Sequence, residues 1–355
     1  MRLAAGLLLL GLTRAAAAQG LEPGSGYVHE PFPLHLVFTG DINLGTRTLP
    51  DGIPPDSGRQ LFAGVDSLLR GDLVVGNFEG VLSDSGESAK CAPTSTRCYA
   101  FATPTWLAPR LKDAGFTHLN LANNHANDYG VEARRHTEAT LKDLGLTPYG
   151  PVDMVAITPV YRDGKYMLVG LVGFTTYPHS YNLLDLAASQ AIVSAVRPLV
   201  DVLLVTFHGG LEGAKAVRVP VGPESLGKEP RGNLRSWART VIDAGADAVV
   251  GHGPHVLRGV EFYSGRPIFY SLGNFVTYRG FNLEGPLGLT TVLQLDLDAQ
   301  GGYQAARLPS LLQRPQLGVM VDSTNAAIKL IQRVTKLDFP LSGALIDLDG
   351  TVRSR

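Results

Sequence analysis

Five times along this 355-residue chain, a short apolar run meets a Gly- or Asn-containing turn beside a carboxylate, carboxamide or imidazole. LHLVFTGD closes on Asp41, DLVVGNFE on Glu79, HLNLANNH on Asn124 and His125, VLLVTFH on His208, and DAVVGHGPH on His252 and His255. Runs of this kind bury in a sheet, and open α/β sheets bind ligands beyond the carboxyl ends of their strands. Carboxylate, carboxamide and imidazole together form the donor set for hard to borderline divalent cations. One such strand end carries little meaning; five in one chain predict a single assembled site.

The rest of the composition narrows the class. With 45% hydrophobic and 18% charged residues the chain reads as an ordinary folded protein. A formal net charge of −1 leaves no overall basic footprint, so nucleic acid is not an expected partner. Residues 1–18 read as a cleaved secretory signal: Arg2, the short apolar run LAAGLLLLGL, and an A-x-A site at Ala16–Ala18. The rival reading, an uncleaved anchor, needs about 20 apolar residues, and Arg14 interrupts the run. The expectation is therefore an exported protein, periplasmic or extracellular. Cys91 and Cys98, within a Ser/Thr/Pro/Gly-rich stretch, read as a disulfide staple in an oxidising compartment. Two free thiols or a metal pair are the alternatives, and no His lies nearby to favour the latter.

Strand-like runs alternate with helix-like segments. Strands are expected at about 34–39, 73–76 and 118–122, with amphipathic helices over RQLFAGVDSLLRG, over TPTWLAPRLKDAGF (capped by Thr103, ended by Gly115) and over VEARRHTEATLKDLGL. Further strands are expected at 166–173, 202–207, 247–250, 267–271 and 288–297, with helices over NLRSWARTVIDAG and AAIKLIQRV and a last strand near ALIDLDG. This alternation with a strand-rich close predicts an α/β fold: one domain, a two-sheet sandwich flanked by helices. Residues 30–310 form its body, and 311–355 pack a helix and strand on it. Residues 213–232 read as a long loop, either a lid or a plain surface insertion.

The order of the donors resembles the dinuclear metallophosphoesterase (calcineurin-like) superfamily, with three departures. Asn43 stands where the first His would be, Glu79 replaces the bridging Asp, and two residues rather than one separate His252 from His255. With these departures the chain is identified as a member of the CapA-type poly-γ-glutamate capsule-synthesis family. The stretches that carry the resemblance are FTGDINLG, VGNFEG, NNH-x-x-D-x-G, FHGGLE, GHGPHV and YSLGNF, between about residues 34 and 276. The resemblance implies a metallophosphatase-like α/β/β/α sandwich. Two aromatics usual in the family are replaced by Gly209 and Gly213, which is expected to open the pocket wall.

Each candidate has a competing reading. Asp41 suits a metal ligand or an Asx-turn, and Asn43 a weak ligand, a water-orienting group or a turn. Glu79 is the expected bridge between two cations, and Asn124 a neutral oxygen ligand. His208, His252 and His255 are the expected imidazole ligands. His125 takes the place of the residue that assists the leaving group, with Asp128 fixing its tautomer or, alternatively, capping the next helix. Glu212 and Asn274 are expected to line the pocket. The sequence holds no G-x-S-x-G elbow, P-loop or papain-like cysteine setting. The resulting expectation is a hydrolase or transferase using divalent cations, two in number and of the Mn, Fe or Zn class. It would act on an anionic polymer or a small γ-glutamyl or phosphorylated substrate, in contact with a membrane synthetase complex. An exported phosphoesterase and a non-catalytic polymer- or synthetase-binding subunit are the alternatives.

Overall fold

The computed structural model describes residues 26–91 and 98–355; the expected signal segment, 1–18, lies outside them. After a two-residue strand, Val28–His29, that pairs with Lys165 and Tyr166, the chain lays down β1 (Leu34–Asn43), β2 (Leu73–Phe78), β3 (His118–Asn120) and β4 (Thr147–Tyr149) side by side and parallel, with α1 (Pro109–Ala114) and α2 (Gly130–Asp143) between them. It then crosses to a second sheet: β5 (Ala156–Arg162), β6 (Lys165–Thr175), β7 (Val202–His208), β8 (Ala248–His252), β9 (Val260–Tyr263) and β10 (Arg266–Phe269). Helices α3 (Leu186–Val196) and α4 (Leu234–Asp243) are the crossovers of the parallel run β6–β7–β8. The chain returns to the first sheet with β11 (Asn274–Thr277), β12 (Val292–Leu297) and β13 (Tyr303–Arg307). Helix α5 (Ala326–Asp338) precedes β14 (Thr351–Arg353), which pairs with β13.

Alternation along the strands fixes the layers, because successive side chains of a strand face opposite sides of its sheet. Leu36 and Phe38 of β1, Val75 of β2, Val169 and Leu171 of β6, Leu204 of β7 and Val250 of β8 share one buried cluster between the sheets. Their neighbours in the chain turn outward. Val37 and Val74 pack with Leu111 of α1 and Leu141 of α2; Val172, Leu203 and Val205 pack with Trp237 and Val241 of α4. The architecture is therefore helix, sheet, sheet, helix.

Several expected elements differ. The helix expected over RQLFAGVDSLLRG is a series of turns with one 3-10 turn at Asp66–Leu68. Leu61, Phe62, Val65 and Leu69 are buried all the same, and the segment runs tight against a strand at Gly318–Val321: a Cβ on Gly64 would lie 2.4 Å from the Val319 carbonyl. The TPTWLAPRLKDAGF helix divides into a 3-10 turn (Thr105–Leu107) and α1. Thr103 is no cap: it lies in a short strand and its hydroxyl donates to the Gly45 carbonyl. Helix α3, unexpected from the apolar spacing, is capped by Asp185, which accepts from the Ala188 amide. The 213–232 segment carries an antiparallel pair, Glu224–Leu226 with Glu229–Gly232, tied down by ion pairs of Arg258 with Glu224 and of Arg231 with Glu212 and Glu229. Cys91 and Cys98 form a disulfide with a Cα–Cα separation of 5.6 Å. Among the described residues no helix is long and apolar enough to cross a membrane.

Candidate metal centre

The carboxyl ends of both sheets meet at one place. In the first sheet Asp41 of β1 lies in register with Asn77 of β2, and Asn77 with Asn120 of β3. In the second, His208 ends β7 directly beside His252, which ends β8. Asp41 reaches its position through an irregularity in β1 after Phe38. There the Asp41 amide donates to the Gly273 carbonyl (2.9 Å), and a Cβ on Gly40 would lie 1.9 Å from that oxygen, so only glycine fits. His255 sits at φ 60, left-handed backbone rare for a non-glycine residue and often found where a side chain is held for a purpose.

Asp41, Glu79 and His255 each offer a donor atom, and these atoms lie within 4.8 Å of one another. Around them, Glu79 Oε1 is 3.6 Å from His255 Nε2, 3.8 Å from His208 Nε2 and 3.9 Å from His125 Nε2. The two Asp41 oxygens lie 3.5 Å from His252 Nδ1 and 3.0 Å from His255 Nδ1. Both Glu79 oxygens, His208 Nε2, His252 Nδ1, Asn124 Oδ1 and Asn274 Oδ1 are buried without a hydrogen-bond partner. A buried polar atom left unsatisfied costs on the order of 1–3 kcal/mol. Oxygen and imidazole donors gathered this way fit divalent cations, which would satisfy several of them together.

The electrostatics demand positive charge. Burial and the neighbouring Asp41 charge hold Glu79 well above the usual carboxylate range, against the pull of His255. Burial pushes Asp41 the same way, but the closeness and charge of His252 and His255, the latter hydrogen-bonded to it, outweigh burial and hold Asp41 well below that range. Burial drives His208 well below the ordinary imidazole value. Burial also opposes a proton on His255, yet the Glu79 and Asp41 charges raise it to about 10. A divalent cation would compete with that proton for the same pair of carboxylates, so metal binding would release protons.

Beside this cluster His125 Nδ1 lies 2.6 Å from Asp128 Oδ2, which leaves Nε2 facing Glu79. Asp128 does not cap α2, whose N-cap residue, Tyr129, makes no side-chain cap. It also accepts from the Phe101 amide (2.7 Å) and lies 3.1 Å from Lys90 Nζ. Burial lowers His125, with Asp128 working against that shift. A cleft of about 380 Å³ opens on the cluster, lined by His125, His255, Glu212, Asn274, Phe101 and Phe281 among others.

Of the readings open to Asn43, its bonds show the turn. Asn43 faces away from the donors: its amide donates to the Glu79 carbonyl (2.9 Å) and its oxygen accepts from the Gly45 amide (3.1 Å). It is a turn residue that holds Glu79 from behind. Gly209 does not open the wall either: a Cβ there would lie 2.9 Å from Leu183 Cδ2, so Leu183 fills that space, whereas nothing lies within 4 Å of one on Gly213. Aromatic surface comes from elsewhere. Phe101 packs on His125 (centroids 4.5 Å) and stacks with Phe281 (4.9 Å), which meets His255 edge-on.

Sequence reasoning passed over the carboxamide hub. Asn77 donates to Asp41 Oδ1 (2.9 Å) and accepts from the amides of Asn120 and Asn123 (3.0 and 3.3 Å). Asn123 in turn accepts from the His125 amide (3.0 Å). The signal was present, since Asn77 and Asn123 sit inside the GNFE and NNH stretches. Lys90 and Phe281 carried no local signal.

The family model described as "Bacterial capsule synthesis protein PGA_cap" matches residues 35–279. The chain is similar to the PGA biosynthesis protein CapA of Bacillus subtilis (strain 168), with 30% identity over 262 residues, 70% of this chain and 64% of that protein. It is also similar to the capsule biosynthesis protein CapA of Bacillus anthracis, with 28% identity over 293 residues, 78% of this chain and 67% of that protein. The chain thus spans 64% of the length of the first of these relatives and 67% of the second. Among solved structures, it resembles a putative 5'-nucleotidase from Staphylococcus aureus at 12% identity and a TM-score of 0.45, covering 84% of this chain and 58% of that one. A 5'-nucleotidase precursor from Thermus thermophilus is similar at 15% identity and a TM-score of 0.44, covering 87% of this chain and 60% of that one.

Proposed function

The chain belongs to the bacterial capsule synthesis protein family, and from that premise we propose that it is an exported, divalent-metal-dependent hydrolase or transferase acting on a capsular polymer. Poly-γ-glutamate is the proposed polymer and its γ-glutamyl amide the bond attacked. The observation that carries this reading is the group of buried, unpartnered donors on Glu79, His208 and His252 beside Asp41 and His255, with the equally unpartnered Asn124 oxygen following β3. Glu79, Asp41, Asn124, His208, His252 and His255 are the residues that would hold divalent cations of the Mn, Fe or Zn class. The Cys91–Cys98 disulfide supports export, since such bonds persist in oxidising compartments.

When bound, divalent cations polarise the scissile group and make water acidic enough to attack near neutral pH. The protein's own contribution is positioning and proton transfer. Asp128 fixes the Nδ1 proton of His125, which directs Nε2 into the site. With its proton affinity lowered by burial, His125 rests neutral at neutral pH, takes a proton at Nε2 from the attacking nucleophile and passes it to the leaving amine. Phe101 shields this pair from water on one side.

Metal analysis of the purified full chain tests the reading first. The protein should carry Mn, Fe or Zn, and strong chelation followed by Mn²⁺ readdition should abolish and then restore hydrolysis of γ-glutamyl peptides. His208→Ala should lower metal affinity by more than the ~10–100-fold typical of losing a residue that only orients a ligand. A protein that neither holds these metals nor gains stability from them would overturn it. Preferential cleavage of phosphodiesters would replace the amide with a phosphoester as substrate.

A further inference from the structure

A second groove, of about 510 Å³, adjoins the metal cleft. Ala214 lines both, and the 3-10 turn Gly285–Gly288 contributes Leu287 to the cleft and Pro286 to the groove. The floor of the groove is apolar, with Val217, Leu289 and Leu330. Its wall carries Lys329 and Arg333 of α5, and no carboxylate lines it.

The two cations belong to a stripe. Lys329, Arg333 and Lys336 follow one another at four and three residues along α5, so they lie on one face of the helix, and all three are exposed. Among the described residues none of them is in an ion pair; Lys329 Nζ donates only to the Thr324 carbonyl. The acid groups closest to them in the chain are already engaged: Asp338 pairs with Arg218, and Asp322 accepts from Ser310, Thr324 and Ala326. In a chain of net charge −1, this stripe is a local departure.

We propose that this groove is a distal subsite for a polycarboxylate chain whose reacting end lies in the metal cleft. The inference rests on the polymer reading given under Proposed function and adds where the rest of the polymer lies. Carboxylates meet Lys329, Arg333 and Lys336, and the methylenes between them cover Val217, Leu289 and Leu330. The three cations span about 10 Å along the helix at 1.5 Å per residue. A γ-linked glutamyl chain, with five backbone atoms per residue against three in an ordinary peptide at ~3.5 Å, covers that length with about two residues beyond those seated in the cleft. A single glutamyl bond in the cleft makes no use of the groove, so it discriminates by chain length.

Fluorescence anisotropy on the Mn²⁺-loaded full chain tests this, with labelled long polyglutamate and labelled triglutamate as probes at low salt. Lys329→Glu with Arg333→Glu should weaken the long chain by about ten-fold or more, in line with several exposed ion pairs lost and reversed. Triglutamate binding and metal content should not change. Both positions are exposed, and a thermal melt with the neutral pair Lys329→Gln and Arg333→Gln separates lost charge from lost fold. The groove assignment falls if the charge-reversed protein binds the long chain as wild type does, or if wild type binds both probes equally. It falls equally if a sulfated polysaccharide competes as well as polyglutamate and loses as much, since that would be unselective anion binding. Triglutamate bound without any gain from length overturns the groove alone. Metal bound with neither probe bound overturns the polymer reading, and the groove with it.

Discussion

Asn43 shows how a residue beside a candidate metal site can matter without facing it. It stands two positions after Asp41, yet both ends of its carboxamide go to backbone, one of them the carbonyl of Glu79. Asn43→Ala should leave two buried backbone groups unpaired and destabilise the protein by about 2 kcal/mol or more. It should also weaken metal binding about ten-fold, because Glu79 loses its support. Urea denaturation and metal titration read these two effects; unaltered metal affinity would show that Glu79 is held by other means. The types of the donors were legible from the sequence, since each follows an apolar strand in a short motif. The orientation of Asn43 was not, because a carboxamide two residues from a ligand can turn toward the ion or the chain with equal local ease. Part of the cleft's aromatic surface was illegible for a different reason: Phe281 approaches His255 from a loop with no pattern of its own.

Among the elements, β1 is the one whose local geometry the site depends on most. Its irregularity after Phe38 swings Asp41 toward the second sheet, and Gly40 makes it possible by letting the chain press against Gly273. Gly40→Ala puts a methyl where no space exists, and the stability loss should exceed about 3 kcal/mol, in the range reserved for named structural faults. A chemical denaturation curve within ~0.5 kcal/mol of wild type would mean that β1 and β11 can part at this point at little cost. The strands were read well because burial on both faces demands continuous apolar runs. The failed helix at RQLFAGVDSLLRG has the same apolar spacing as a real one. Its residues bury just as well through turns against the Gly318–Val321 strand, and periodicity cannot tell these apart.

For the molecule as a whole, acid stability follows histidines held neutral by burial, among them the buried His118 and the half-buried His179. His118 of β3 hydrogen-bonds Thr158 of β5 across the two sheets (2.7 Å), and burial lowers its pKa to about 4. Burial and the Arg134 charge lower His179 to about 4 as well. An unfolded histidine titrates near ~6.5, so between pH ~6.5 and about 4 the unfolded chain binds more protons than the folded one. Stability is then complete above pH ~6.5 and lost as the pH falls toward 4, by up to ~3 kcal/mol for His118 at about 1.4 kcal/mol per unit. His118→Gln should flatten this acid limb in part, with His179, His125 and His208, all lowered by burial, supplying the remainder, as read from denaturant midpoints across that range. An unaltered limb would place the proton uptake elsewhere.

What the amino-acid order determined by itself was the set of donors, their strand ends and the alternation that puts one face of each strand inside, because each of these is written within a few neighbouring residues. Only the tertiary structure decided which atoms confront one another. Asp41 and Glu79 belong to one sheet, His208, His252 and His255 follow strands of the other, and the meeting of their carboxyl ends depends on how two twisted sheets pack face to face. That packing is set by the whole buried cluster between the sheets, a sum over residues far apart in the chain that no short stretch of it contains.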